Sequence, residues 1–77
     1  MVRPRSMDLR SVVGANIRAL REARGVPQDE LAYDADIHQT YLSGIENGKR
    51  NISLLVLERL AVALGVTETE LVRRRER

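Results

Sequence analysis

The chain has 77 residues, room for one domain and one core near the lower limit at which a domain folds unaided. Hydrophobic residues make up 43% of it, yet Phe, Trp and Cys are absent and Tyr occurs only twice, so the core must be aliphatic and no disulfide or thiolate metal site can form. Net charge is +2 and every basic residue except Lys49 is an arginine, a mild pointer to a polyanion because guanidinium forks match phosphates and guanine edges.

Residues 1–10 carry Arg3, Pro4, Arg5 and Arg10 with little to bury and are expected to form a flexible basic arm ahead of a domain over residues 11–77. No apolar stretch of signal-peptide character follows these arginines. The longest apolar run, residues 60–66, is seven residues against the roughly 18 needed to span a bilayer, so the cytoplasm is the expected location and a membrane is not an expected partner.

From residue 11 the apolar spacing is helical throughout, with turn signals about every ten residues, and five short helices are expected. The first runs from about Ser11 to Arg24, with Val13, Ile17, Leu20 and Arg24 on one stripe and Gly25 as a left-handed cap. The second covers about Gln28 to Ala35, with Leu31, Ala32 and Ala35 inward and Asp29 and Glu30 in the first turn, where the dipole favours acids. Asp36 tolerates the left-handed conformation better than most side chains and serves as the turn residue.

The third helix spans about Gln39 to Asn47, with Ile37 and Leu42 as a hydrophobic staple around His38. The fourth runs from Ser53, its N-cap, to Leu64, with Leu54, Leu57, Leu60, Ala61 and Leu64 inward and Gly65 ending it. The last begins near Glu68 behind a capping box of Thr67 and Glu70 and returns Leu71 to the core; a solvated, frayed end in RRRER follows.

Helices two and three are short and tightly joined, and each has too narrow an apolar stripe to stand alone, which is the layout of a helix-turn-helix. A small residue at Ala32 lets helix three cross close above helix two. If helix three packs through Ile37, Leu42 and Ile45, its other face carries His38, Gln39, Thr40, Ser43 and Gly44, with Asn47 to Asn51 beyond. A major groove admits one helix and offers base-edge donors and acceptors that amides and hydroxyls can match. Gln39 can pair bidentately with adenine and Thr40 can meet a base edge or a thymine methyl, both at the helix end that enters the groove. Lys49, Arg50 and Asn51 lie just past the helix, placed to hold phosphates. Gly44 costs about 1 kcal/mol in a helix interior, which implies a close backbone approach to DNA or to helix one.

Residues from about Gly14 to Leu71, through PQDELA, TYLSGIENGKRNISL and LERLAVALGV, resemble the helix-turn-helix family of phage repressors and Cro proteins. The resemblance implies an all-α, compact five-helix bundle of the lambda-repressor type that binds double-stranded DNA. It also implies that Gln28 bonds a phosphate, that Gln39 and Thr40 read bases, and that Lys49, Arg50 and Asn51 clamp the strand. Arg21 and Glu46 would form the family's buried ion pair. LAY at 31–33 with TYLSGIE and RNIS is especially similar to the controller proteins of restriction-modification systems, which are small dimers without a ligand domain. Three departures stand out: Pro27 where the family has a capping Thr, Asp36 for the turn glycine, and His38 where Ser or Asp caps.

Plainer roles compete at several positions. His38 is either an exposed helix-entry residue or a base reader with Ser43, and Tyr41 either packs on the core rim or gives its hydroxyl to a phosphate, which the amide of Asn47 is also expected to contact. Between Gln28 and Asn51 the acids Asp29, Glu30, Asp34, Asp36 and Glu46 outnumber Lys49 and Arg50, which weighs against DNA unless Glu46 is paired internally and Arg3, Arg5, Arg10 and Arg18 supply countercharge. Leu55, Val56, Val62, Val66 and Val72 lie off the core stripes and suggest a homodimer interface. The expectation is a homodimeric transcriptional regulator on an inverted repeat, without cofactor or small-molecule ligand. The alternative is a protein-interaction adaptor or antitoxin-like module, and with one His, no Cys and no paired carboxylates an enzyme is not expected.

Overall fold

A computed structural model describes residues 7–75 of the chain. Among them are five helices and no strand: α1 (Leu9–Ala23), α2 (Gln28–Asp34), α3 (Gln39–Glu46), α4 (Leu54–Leu64) and α5 (Glu68–Val72). Each contributes to a single aliphatic core, in which Ile17, Leu31, Leu42, Ile45, Leu60 and Leu71 are almost completely buried. Burial of each such side chain is favourable by about 1.5–3 kcal/mol, and Ile37, Tyr41, Ile52 and Val66 close the rim around them.

α1 to α4 share one way of ending. After each helix a residue turns left-handed, its N–H returning to the carbonyl three residues back while the following N–H reaches five back: Gly25 and Val26 to Glu22 and Arg21, Asp36 and Ile37 to Tyr33 and Ala32, Gly48 and Lys49 to Ile45 and Gly44, Gly65 and Val66 to Val62 and Ala61. Three of these positions are glycine. Asp36, at φ 59°, is the only other described residue with positive φ, so the turn expected there from its sequence is the one formed.

Starts of helices are less uniform. Ser53 caps α4 as expected, its Oγ accepting from the Val56 N–H at 3.1 Å. Pro27 and His38 stand at the N-caps of α2 and α3 and make no side-chain bond. The capping box at Thr67 does not form: only the backbone of Glu70 returns to the Thr67 carbonyl, and the Glu70 carboxylate turns instead to Arg73 and Arg75 at 3.5 and 4.0 Å. Arginines three and five residues on outcompete one neutral N–H for that charge.

Three expected placements are corrected. α1 begins at Leu9 and not near Ser11, because Asp8 caps it by accepting from the Ser11 N–H at 3.1 Å, so the last residues of the expected basic arm belong to the folded domain; residues 1–6 lie outside the described ones. Leu54, expected inward, is 84% exposed, since as the first residue of α4 it falls on the outer edge of a stripe centred on Leu57, Leu60, Ala61 and Leu64. Arg24, read on the inner stripe of α1, is exposed, its guanidinium donating to the Leu20 carbonyl. Conversely Val12 and Asn16 are buried.

Arg73 and Arg74, directly after α5, are held rather than frayed, while residues 76–77 of the expected frayed end lie outside the described ones. Asn16 donates from Nδ2 to the carbonyls of Leu71 (3.0 Å) and Arg73 (2.8 Å), and Arg74 donates to the Met7 carbonyl at 2.8 Å.

Candidate nucleic-acid interface

α2 and α3 are joined through residues 35–38, and the staple residues Ile37 and Leu42 both pack into the core, which sets the angle at which the chain enters α3. With Leu42 and Ile45 at 0% and 1% exposure, the helix has one orientation available. Gln39 and Thr40 are therefore exposed, together with His38 and Asn47, while Ser43 is half-buried. Gln39, Ser43 and Asn47 recur every four residues and form one outward row, with Thr40 beside it. Asn47 spends its Nδ2 on the Ser43 carbonyl at 2.9 Å.

Lys49, Arg50 and Asn51 follow as an exposed loop at the C-terminal end of α3. Arg50 folds back along the helix: its guanidinium lies 5.8 Å from the centre of the Tyr41 ring, and its Cγ would be 2.8 Å from a Cβ on residue 44. Gly44 thus makes room for a cation of its own chain. The close approach to α1 expected at Gly44 lies instead at Gly14, where a Cβ would run into the Ile45 carbonyl and sit 3.0 Å from that of Glu46.

Behind this face lies a charged knot. Glu46, the last residue of α3, has a fully buried side chain that accepts from Arg21 Nε (2.8 Å) and Nη2 (3.0 Å), so the ion pair implied by resemblance is present and bidentate. Arg21 also donates to the Val26 carbonyl, and hydrogen bonding to Glu46 raises its pKa above the ordinary guanidinium value. Arg18 approaches the same carboxylate at 3.7 Å. Gln28, half-buried, donates to Glu46 at 3.0 Å and accepts from Gln39 at 3.4 Å.

The charge balance of the reading unit changes accordingly. Glu46 is internally paired, which removes it from the acidic side, while Asp29, Glu30, Asp34 and Asp36 remain exposed. Two of the expected countercharges are engaged locally, Arg10 with Asp8 at 2.8 Å and Arg18 with Glu46 and Glu22. Arg3 and Arg5 lie outside the described residues.

A family model described as helix-turn-helix matches residues 17–71, well over half of the chain. The chain belongs to the helix-turn-helix family. The HTH-type transcriptional regulator y4dJ of Sinorhizobium fredii is 44% identical over 66 residues, 86% of this chain and 86% of that protein. Among solved structures, the restriction-modification controller protein C.AhdI of Aeromonas hydrophila matches with a TM-score of 0.78 at 37% identity, over 80% of this chain and 94% of that one. SinR, a master regulator for biofilm formation solved in complex with DNA, matches at 0.75 and 32% identity, over 79% of this chain and 98% of its own. The resemblance to controller proteins and the five-helix fold both hold.

For this helix-turn-helix protein, the residues expected at a dimer interface fall into three places. Val56 and Val66 are partly buried against the core. Leu55 and Val62 stand exposed on the outer face of α4. Val72 lines a groove of about 230 Å³ with Leu9, Leu54 and Ile52, directly beside Arg50 and Asn51. Sequence reasoning missed Gly14, Asn16 and the bonds of Gln28 to Glu46 and Gln39. The first carried a signal, a glycine inside a helix; the others did not, because their partners are remote in sequence.

Proposed function

We propose that the protein is a transcriptional regulator that binds double-stranded DNA in a sequence-specific way as a homodimer on an inverted repeat, in the manner of a restriction-modification controller protein. The observation that carries this reading is the outward row of α3. Side chains suited to base edges are exposed there because Leu42 and Ile45 occupy the core. The likeness to C.AhdI and to DNA-bound SinR supports it.

In this reading Gln39 and Thr40, flanked by His38 and Ser43, read bases, and Gln28, Tyr41, Asn47, Lys49, Arg50 and Asn51 set position on phosphates. Dimerisation through the groove of Leu9, Leu54 and Val72 would put the symmetry axis next to the phosphate-binding loop, so that two α3 helices meet successive major grooves about 34 Å apart. Regulation follows from occupancy of the operator in the cytoplasm. No catalytic step is assigned, and no described helix is long and apolar enough to cross a membrane.

Selection of bound duplexes from a random pool, followed by sizing of the complex, tests the reading. A near-palindromic site bound by two subunits is the expected result. The exposed acids of α2 keep a protein-interaction module as the rival, and a salt titration separates them: a steep loss of affinity with salt belongs to DNA binding, and a flat response to the adaptor. Arg50→Ala should weaken all sequences alike and reduce the salt slope by about 1.

A further inference from the structure

Among the described residues Glu46 is the one buried charge. Its side chain is fully buried and gripped by Arg21, so it cannot touch a duplex. It nevertheless connects to the reading face in two steps: Gln28 Nε2 donates to Glu46 Oε1 at 3.0 Å, and Gln39 Nε2 donates to Gln28 Oε1 at a longer 3.4 Å. The direction of this chain is dictated by chemistry. A carboxylate paired with a guanidinium only accepts, so the end of the Gln28 amide beside it must be the NH2 group, and its other end must be oxygen. Gln39 can meet that oxygen only by donating.

One of the two amide hydrogens of Gln39 is thereby committed, leaving one donor and one acceptor for the groove. That pair complements N7 and N6 of adenine, whereas guanine presents two acceptors, N7 and O6. A Gln39 released from Gln28 could turn its whole NH2 edge towards them. We propose that Glu46 is a positioning residue for base discrimination: acting through Gln28, it holds Gln39 in the orientation that suits adenine and withholds the hydrogen that guanine would require. This rests on Gln39 being a base reader.

The test uses the full chain and a duplex selected from a random pool. The base pair read by Gln39 is the one whose preference Gln39→Ala erases, and the readout is the ratio of Kd for G·C over A·T at that pair. Gln28→Met removes the link while leaving Arg21 and Glu46 joined, and Glu46→Gln frees the Gln28 amide to turn. Each is expected to lower the ratio about tenfold, within what one bidentate base contact supplies, with preferences at the other positions unchanged. If Glu46→Gln does not fold, Glu46→Asp keeps the charge on Arg21 but draws the oxygen back from Gln28, and should lower the same ratio.

A wild-type ratio in Gln28→Met overturns the proposal, as does a lowered ratio there with a wild-type ratio in the folded Glu46 variant. Equal loss of preference at every position would assign Glu46 and Gln28 a merely structural part and overturn it too. Should Gln39→Ala leave all preferences intact, the base-reading role of Gln39 fails first and the relay with it, an outcome distinct from the others.

Discussion

Gly14 and Gly44 sit inside helices, and each gives up about 1 kcal/mol of helix propensity relative to alanine. Their neighbours differ in kind. A methyl at 14 would strike the backbone carbonyls of Ile45 and Glu46, which cannot move without shifting α3 against α1, whereas a methyl at 44 would meet only the stem of Arg50. Gly14→Ala should therefore lose about 1–3 kcal/mol in urea unfolding despite its better propensity. Gly44→Ala should unfold no earlier than the parent while binding DNA more weakly, since Arg50 is displaced from its seat beside Tyr41. Equal effects of the two on stability would refute this distinction. The cost of each glycine is visible in the sequence; which backbone or side chain it makes way for is not.

At the level of the helix, the left-handed turn residues do for the ends what the core does for the faces. Asp36 holds the position between α2 and α3 at φ 59° that a glycine would occupy without strain, and a Cβ there costs about 1–2 kcal/mol, less for Asp than for Ala or Val. Stability should run Gly above Asp above Val at residue 36, measured by denaturant midpoint, and Asp36→Gly should also bind DNA more tightly by removing an acid from near the groove. At the other end of the chain, Arg10 first and the Ser11 N–H second hold the Asp8 carboxyl below its ordinary pKa. The sign follows from that depression: the cap is complete above the unfolded value near 4 and is lost as pH falls through the lower folded one. Asp8→Asn, still a good cap, should abolish the loss of protection that the Ser11 amide suffers in acid, measured as its exchange rate relative to the unprotected amide at each pH. Ends of helices were legible where a single residue decides them, as at Gly25, Asp36, Ser53 and Gly65. They were not where two side chains compete, as at Thr67, whose partner Glu70 is drawn away by Arg73 and Arg75.

For the molecule as a whole, the exposed leucines and valines divide between the outer face of α4 and the groove beside the phosphate-binding loop, with Tyr33 on α2 and Met7 standing apart from both. Leu54, 84% exposed at the first turn of α4, separates association from folding: an acid there suits the helix dipole and disturbs no core contact. Leu54→Glu is expected to give a monomer of undiminished thermal stability that binds a half-site but no longer the full repeat. Val62→Glu, on the other face, should leave the dimer intact. A dimer that survives Leu54→Glu and falls apart with Val62→Glu would move the interface to the outer face of α4.

Helical period, cap chemistry and the absence of Phe, Trp and Cys determined, from the sequence alone, an aliphatic five-helix bundle with α3 turned by Leu42 and Ile45, because these are local properties of neighbours along one helix. The tertiary structure decided what meets across helices. It put Gly14 against the end of α3, tied the tail to Asn16, turned Leu54 outward and joined Glu46 through Gln28 to Gln39. Such contacts depend on the angle and distance between helices. Those are set by the packing of the whole core and leave no period or spacing in the chain to be read.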